Sequence, residues 1–404
     1  MRISQRAAAI HDSPTLALDS RVKALAAAGR DVLNMAVGQP DFLAPAVATA
    51  AARAKVDSGA VRYTPAAGLP SLRSVAAQAL NAASGADFGP ANITICHSGK
   101  HALSGALLAL IEPGDEVLLP LPAWVSYVEL VRLAGGVPIG VPPAAGTGAR
   151  PDLAALAAAV TPRTRGILIN SPNNPSGYLW PRAELQGICD LAGTEGLWLL
   201  SDEIYRRLVF PPGEFVSPLH VAEGDLRERI LVVDGASKSF AMTGYRIGFV
   251  AGPEPLAAAV GRLHSQTTGS PNAISQAAFE AALTSELQGG PPELGESLAA
   301  YQARRDVLLA GLADLDLELV RPGGAFYAFP DVTRFCELGP DGTPDTGAFC
   351  SDLLEATGLA LVPGDAFLCP GFVRLSYALP IERIEDAIGR LGRFLSERRL
   401  GAQA

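Results

Sequence analysis

The 404-residue sequence predicts an α/β fold in which a mostly parallel sheet lies between layers of helices. Short, continuously apolar, β-prone runs alternate with helical patterns through the middle of the chain, which is typical of parallel strands buried on both faces. The length also suits a large domain plus a smaller one. The predicted strands are Ile93–Cys96, Val117–Pro120, Gly166–Asn170, Leu197–Ser201, Ile230–Asp234 and Arg246–Gly252.

Helical patterns separate most of these strands, for example His101–Ile111, Arg182–Leu191 and Pro255–His264. In sheets of this kind, ligands bind beyond the carboxyl ends of the strands, so polar residues at those ends are the first candidates for a site. The segment Val141–Arg150 is rich in Pro, Gly and Ala and predicts a surface loop.

The last third of the chain has a different pattern, which predicts a smaller α+β domain. Its predicted elements are a helix over about Glu293–Leu315, β-prone segments at Phe326–Phe329 and Val373–Tyr377, and a helix over about Glu382–Arg398. A helix near Ser20–Ala28 is expected to pack with them. We therefore expect residues 1–40 to form an N-terminal arm and part of the small domain, 41–285 the large domain, and 286–404 the small C-terminal domain.

Composition and charge argue against several classes of function. The chain has 32 basic and 41 acidic residues, a net charge of −9, which argues against a general surface for nucleic acid or anionic membranes. No run approaches the roughly 20 apolar residues of a membrane span, and residues 1–14 contain no signal-peptide segment. The five cysteines form no Cys-x-x-Cys pair and no metal-ligand spacing, so we expect reduced thiols, no metal and a cytoplasmic location.

Lys238 follows the predicted strand Ile230–Asp234 directly. By itself it would ordinarily be a solvated surface lysine. The functional hypothesis is an amine that condenses with an aldehyde, for which it must be partly desolvated or close to positive charge. Its partners therefore decide between the two interpretations.

Two segments are suited to an anion. Arg246 opens an apolar strand, where a buried guanidinium would require an anionic partner such as a phosphate; a structural salt bridge is the alternative. Ser98-Gly99-Lys100 lies at a strand–turn–helix junction, where free N–H groups bind anions and glycine allows close approach. A plain helix cap is the alternative for that turn.

A second group is suited to a planar heteroaromatic ring. Asp202, at a strand end, would keep a pyridine nitrogen protonated so that the ring accepts electrons. Tyr205 and Asn174 would hydrogen-bond a phenolic oxygen of the ring, and Trp124 would stack on it. Taken alone, Asp202 is also typical of a helix cap, the segment of Asn174 is typical of a turn, and Trp124 is more typical of an apolar core.

Two further residues are suited to an amino-acid substrate. Arg374 lies in the apolar strand Val373–Tyr377, and its forked cation matches an α-carboxylate. Gly38 would offer its backbone N–H to the same carboxylate.

Together these segments, in this order and spacing from about residue 10 to the C-terminus, resemble the fold-type I aminotransferases of classes I and II, which depend on pyridoxal 5′-phosphate (PLP). The resemblance is closest to the bacterial aspartate aminotransferase branch. It implies a large domain with a mostly parallel seven-stranded sheet, a smaller α+β domain, and a homodimer with composite active sites. It also implies soluble amino-acid and 2-oxo-acid substrates, with no nucleic-acid or membrane partner.

The resemblance implies a role for each residue. Lys238 forms a Schiff base with PLP and carries the substrate proton, with Asp202 and Tyr205 as the other catalytic residues. The implied cofactor-binding residues are Lys238, Gly99, Lys100 (through its backbone), Trp124, Asn174, Asp202, Tyr205, Ser237, Arg246 and, from the neighbouring subunit, Tyr63. The implied substrate-binding residues are Gly38, Trp124, Asn174, Arg374, Lys100, Ser13 and Thr15. Gly235 stands where several relatives carry a phosphate-binding serine, so Ser237 must serve instead.

Substrate choice depends on Lys100, which in the aspartate branch recognises a distal carboxylate with help from the positions of Ser13 and Thr15. The implied reaction transfers the amino group of an L-amino acid, aspartate first, to 2-oxoglutarate. An exposed first-turn lysine is the alternative interpretation. Aromatic, alanine-type or prephenate aminotransferases, and a PLP carbon–sulfur lyase of the same fold, are the alternative functions. A PLP-sensing regulator is not expected, because the match begins near residue 10 and leaves no room for a DNA-binding module.

Overall fold

The computed structural model describes residues 2–11 and 14–401. The strands are β1 (Leu33–Asn34), β2 (Ile93–Cys96), β3 (Glu116–Pro120), β4 (Val137–Val141), β5 (Thr164–Asn170), β6 (Trp198–Asp202), β7 (Ile230–Gly235), β8 (Gly248–Ala251), β9 (Tyr327–Ala328), β10 (Leu359–Ala360), β11 (Val362–Pro363) and β12 (Val373–Ser376). The helices are α1 (Gln5–Ala8), α2 (Pro14–Ala27), α3 (Ala46–Asp57), α4 (Pro70–Ser84), α5 (Gly99–Leu110), α6 (Val125–Leu133), α7 (Leu153–Ala158), α8 (Arg182–Thr194), α9 (Ala236–Ser239), α10 (Glu254–Thr267), α11 (Ala273–Leu287), α12 (Pro292–Asp314), α13 (Thr346–Thr357) and α14 (Ile381–Gly401).

A seven-stranded sheet in the order β2-β8-β7-β6-β5-β3-β4 confirms the predicted fold class. Only β8 runs against the others, since it pairs antiparallel with both β2 and β7. The six predicted strands all belong to this sheet. The edge strand β4 was not predicted, because it contains Pro138 and Gly140, residues that are depleted from strands, and only its last residue is buried. Val141 therefore ends a strand and does not begin the predicted loop.

The inner strands are buried on both faces, as their continuous apolar sequences predict. Successive side chains point to opposite faces of a strand. In β6, Leu199 belongs to the apolar cluster on one face and Leu200 to the cluster on the other. The sheet is thus the middle layer between two helical layers.

The C-terminal part contains a three-stranded antiparallel sheet, β11-β12-β9, and the short parallel pair β1-β10. Its helices α12 and α14 match the predicted helices within a few residues. Helix α2 packs there through Val22, which contacts a small cluster with Leu354 and Ala360, as predicted for the N-terminal helix.

The segment after β6 packs away from the large sheet. Ile204, Tyr205, Leu208 and Phe210 belong to the same buried apolar cluster as the C-terminal residues Phe326 and Leu375. The chain that leaves Asp202 is therefore anchored in the C-terminal core. Among the residues that the structure covers, no helix is both long enough and apolar enough to cross a bilayer.

Candidate active site

A cavity of about 380 Å³ opens at the carboxyl ends of β5, β6 and β7, a volume within the usual range for small-molecule sites. Its walls carry four cationic side chains and two carboxylates, so the cavity favours an anionic ligand. Most of the predicted site residues line it: Thr15, Gly38, Gly99, Lys100, Trp124, Asn174, Asp202, Tyr205, Ser237, Lys238, Arg246 and Arg374.

Lys238 lies in the one-turn helix α9, immediately after β7. Its Nζ donates a hydrogen bond to the Gly38 carbonyl at 2.5 Å. Burial lowers the pKa of Lys238 from 10.5 to about 8, and the charges of Arg374 and Arg246 contribute to the shift, while Asp202 opposes it. The amine is therefore partly deprotonated near neutral pH, as a nucleophile or general base requires.

A buried ionic network holds the turn that carries Lys238. Asp234 accepts a hydrogen bond from the Gly235 N–H at 2.6 Å and pairs with Arg206 at 2.9 Å and Arg207 at 2.8 Å. Burial would raise the pKa of Asp234, but the guanidinium groups of Arg207 and Arg206 outweigh it and lower the pKa. Arg207 also pairs with Glu286 of α11. Sequence reasoning missed this network, although Arg206 and Arg207 follow the Asp202 segment directly.

Asp202 ends β6 and points into the cavity. Its Oδ2 accepts a hydrogen bond from the Tyr127 hydroxyl at 2.7 Å, and its Oδ1 accepts one from the Ile204 N–H at 3.2 Å. Burial raises the pKa of Asp202 to about 6, against the effect of these hydrogen bonds and of Lys238. Tyr127 was missed as a site residue; its signal was its position one helical turn after Trp124.

Arg374, on β12, closes the opposite wall and is only 3% exposed. Its Nη1 donates to Asn174 Oδ1 at 3.0 Å, and its Nη2 donates to the Ala36 carbonyl at 2.6 Å. Its Nε has no hydrogen-bond partner among the described residues, and burial lowers its pKa without a carboxylate that offsets the effect. A buried cation without a counter-ion costs folding free energy. An anionic ligand that pairs with Arg374 would explain why an arginine is buried here.

Tyr327 on β9 is a second residue that sequence reasoning missed. Its ring lies under the Arg374 guanidinium at 4.7 Å, and its hydroxyl is 3.0 Å from that of Tyr205. A Cβ at Gly38 would stand 2.5 Å from the Tyr327 hydroxyl, so only glycine fits there. The predicted β-prone segment contained Tyr327, but nothing in the local sequence marked its hydroxyl as part of the site.

Helix α5 begins at Gly99 on another wall, and Ser98 caps it by accepting a 3.4 Å hydrogen bond from the His101 N–H. The first N–H groups of a helix have no acceptor inside the helix, which makes this end suited to an anion. Strand β8 comes close to this turn. A Cβ at Gly248 would lie 2.9 Å from the Gly99 nitrogen, so the close packing depends on glycine.

Arg246 lines the cavity, but its predicted burial and strand position are wrong. It is exposed and adopts φ 52° after a short 3₁₀ turn, and β8 begins only at Gly248. The left-handed turn, not an extended strand, directs its guanidinium along the cavity wall. Its Nη1 donates to the Thr243 carbonyl at 2.9 Å.

Lys100 stands at the cavity mouth, with its Nζ 4.9 Å from the centre of the Trp124 ring. Lys100 is exposed overall, but partial desolvation against the cavity wall and the nearby charge of Arg246 lower its pKa. Thr15 also lines the cavity, whereas Ser13 lies outside the described residues. Tyr63 is 100% exposed on this single chain and is not part of the cavity wall.

The family described as aminotransferase class I and II has a model that matches residues 30–391. The chain belongs to this family. It is therefore an aminotransferase, and the seven-stranded sheet with its cavity is the fold of fold-type I members of the family.

Curated relatives match this aminotransferase over nearly its whole length. An aspartate/prephenate aminotransferase of Cereibacter sphaeroides is 39% identical, covering 97% of this chain and 98% of the relative. An aspartate aminotransferase of Geobacillus stearothermophilus is 36% identical, and the match covers 98% of this chain and 100% of the relative. Among solved structures, the aspartate aminotransferase of Thermus thermophilus with maleate superimposes with a TM-score of 0.91 at 39% identity, covering 97% of this chain and 100% of that one.

Proposed function

We propose that this aminotransferase holds PLP through Lys238 and transfers the amino group of L-aspartate to 2-oxoglutarate. The supporting observation is that one cavity brings together a partly buried amine of lowered pKa, a buried carboxylate and a buried guanidinium without an ion pair: Lys238, Asp202 and Arg374. The names of the curated relatives support aspartate as the donor.

The residues present fit PLP. The start of α5, where Gly99 and Gly248 leave room, offers backbone N–H groups to a phosphate, and Ser237 and Arg246 would complete that site. Asp202 would pair with the pyridine nitrogen, while Trp124 would cover the ring and Asn174 and Tyr205 would hydrogen-bond its phenolic oxygen. When bound, PLP supplies a ring that withdraws electrons from the substrate Cα.

Tyr127 and the Ile204 N–H favour the charged form of Asp202, because both donate hydrogen bonds to its carboxylate. A charged Asp202 would keep the ring nitrogen protonated. Lys238 would move the proton at the substrate Cα, a task that matches its lowered pKa. Arg374 and the Gly38 N–H would bind the substrate α-carboxylate, and Lys100, with Thr15 and Ser13, the distal one.

The lowered pKa of Lys238 predicts how PLP attachment depends on pH. Only the neutral amine attacks an aldehyde, so the rate of attachment to PLP-free protein should rise with pH, with a midpoint of about 8 and not at the ordinary lysine value of 10.5. The attached cofactor can be trapped with borohydride at a fixed time across pH and measured by mass spectrometry. A midpoint near 10 would show that burial and the neighbouring cations do not act on Lys238.

The proposed role of Lys100 predicts that its loss affects acidic amino donors more than apolar ones. Lys100→Gln should raise KM for aspartate roughly 10- to 100-fold, the range for losing one hydrogen bond to a charged group, and should change KM for phenylalanine less than about threefold. Steady-state kinetics with both donors measures the difference, and Lys55→Gln is the matched control away from the cavity. Equal effects on the two donors would mean that Lys100 does not recognise the distal carboxylate.

The overall proposal is tested with a panel of donors, namely aspartate, glutamate, phenylalanine, alanine and cysteine, assayed with and without 2-oxoglutarate. We expect the highest kcat/KM with aspartate and no turnover without an oxo-acid acceptor. Pyruvate formation from cysteine without an acceptor would instead identify a carbon–sulfur lyase, and a preference for phenylalanine would identify an aromatic aminotransferase.

We also propose a homodimer in which each subunit completes the other's site. The full exposure of the large Tyr63 side chain supports this arrangement, because it offers the tyrosine to a second copy of the chain. A cytoplasmic location is proposed as well, supported by five cysteines that are all free. The division into domains at residues 41 and 285 remains a prediction.

A further inference from the structure

Three of the five histidines lie together behind the turn Ser98-Gly99-Lys100. His101 of α5 and His264 of α10 stack with ring centres 3.9 Å apart, and His97 lies 5.4 Å from His101. The cavity described above is lined by none of the three. The proposed transamination therefore leaves this cluster without a role.

Cys96, at the end of β2, belongs to the same cluster. One ligand atom from each of Cys96, His101 and His264 lies within 4.8 Å of the other two. A thiolate and imidazoles are the preferred ligands of zinc, with bond lengths that place two ligands of a tetrahedral ion roughly 3.3–3.6 Å apart. The three atoms are therefore near that spacing, and side chains must move to reach it.

His264 is the residue that points most clearly to a ligand. His264 is only 2% exposed, and neither of its ring nitrogens has a hydrogen-bond partner in the described part of the chain. Leaving buried polar atoms unpaired is costly. Room for the imidazole comes from Gly105 in the middle of α5, where a Cβ would lie 2.7 Å from His264 Nε2. A glycine there costs helix stability of about 1 kcal/mol relative to alanine.

The protonation states of the two histidines suit coordination, and that of the cysteine opposes it. Burial lowers the pKa of both His101 and His264 to about 4, and neighbouring histidines contribute, so both rings are neutral at pH 7 and can act as ligands. Burial raises the pKa of the Cys96 thiol. A metal ion must therefore displace the thiol proton, which passes to solvent as the sulfur–metal bond forms.

Two adjustments are required. His101 must give up a hydrogen bond, because its Nδ1 accepts one from the His97 N–H at 3.2 Å and its Nε2 lies 3.4 Å from Thr268 Oγ1. One of the two stacked rings must also turn. Both nitrogens can point at one ion only if a ring turns, and His264 can turn without losing a hydrogen bond, because it makes none within the described chain. His97 Nε2 is also buried without a partner there. It, or a water molecule, would occupy the remaining position of a tetrahedral ion.

We propose that Cys96, His101 and His264 bind one zinc-class transition-metal ion. The site lies behind the first turn of α5, on the side away from the cavity. Its occupancy would tie β2, α5 and α10 together at that turn. The proposal rests on residues other than those of the proposed transamination, and each stands without the other.

The test is zinc binding by the PLP-loaded enzyme, first stripped of metals with a chelator and then dialysed against buffered Zn²⁺. We expect one zinc per chain by elemental analysis. His264→Phe keeps a stacked ring but removes both nitrogens, and Cys96→Ala removes the sulfur; each should weaken zinc binding at least about tenfold. His11→Phe, the same change at an exposed histidine outside the cluster, should bind zinc like the wild type.

Two results would overturn the proposal: unchanged zinc affinity in both cluster variants, or no more zinc on the wild type than on the Cys96→Ala/His264→Phe double variant. Circular dichroism establishes that each variant is folded. If the variants do not fold, X-ray absorption of the zinc-loaded wild type decides. One sulfur with two or three nitrogen ligands supports the site, and a zinc shell without sulfur, as on a cofactor phosphate, contradicts it.

Discussion

Lys238→Ala is expected to lower kcat for transamination by about 10³- to 10⁴-fold, the upper range for losing a positioned proton-transfer group. The same change should abolish covalent attachment of PLP, because no other lysine lies in this part of the cavity; Lys100 stands at its mouth. Steady-state kinetics and mass spectrometry after borohydride reduction measure the two effects.

Lys55→Ala is the matched control, since Lys55 lies in the last turn of α3 and does not line the cavity, and it should keep both properties. A Lys238→Ala protein that still carries borohydride-trapped cofactor would contradict the assignment. Retained cofactor attachment would place the reactive amine on another residue, and full activity would remove Lys238 from the reaction altogether.

Arg374→Gln is expected to lower kcat/KM for every amino-acid donor by roughly 10²- to 10³-fold, within the 2–5 kcal/mol cost of removing one partner from a buried charge pair. Every donor should be affected because the α-carboxylate is common to all of them. Arg374→Lys keeps the charge but loses the forked donors, so it should fall between the wild type and Arg374→Gln.

The contrast with Lys100 makes this prediction specific. A loss of kcat/KM restricted to acidic donors would mean that Arg374 binds the distal carboxylate. The α-carboxylate would then be assigned to Lys100. Trapped PLP on Lys238 in Arg374→Gln shows that the variant is folded. Arg383→Gln, at the exposed start of α14, is the control and should leave kcat/KM unchanged.

The large sheet was predictable because the residues of its inner strands are buried one after another, which gives each strand a continuous apolar sequence. β6 and β7 are buried throughout, so their apolar runs are continuous. β4 was not predictable in the same way. As an edge strand it is buried at one residue only, and its place in the sheet is fixed by parallel pairing with β3, which no local pattern in the sequence records.

The candidate site was predictable where residues follow a strand end, as Asp202 and Lys238 do. It was not predictable where a contact depends on two distant elements. The hydroxyl of Tyr127 meets Asp202 only because α6 packs at the end of β6. His264 likewise meets His101 through the packing of α10 on α5. The conformation of Arg246 depended on a left-handed turn that its non-glycine sequence does not signal.

The segment from Ile204 to Phe210 begins two residues after Asp202, and four of its side chains, those of Ile204, Tyr205, Leu208 and Phe210, are buried in the C-terminal apolar cluster. We therefore expect the carboxylate proposed to face the cofactor ring and the packing of the C-terminal third to be lost together on unfolding. Calorimetry should show a single transition, with cofactor release and loss of the C-terminal core at the same temperature. A bound substrate analogue would then protect even the C-terminal strands from hydrogen exchange.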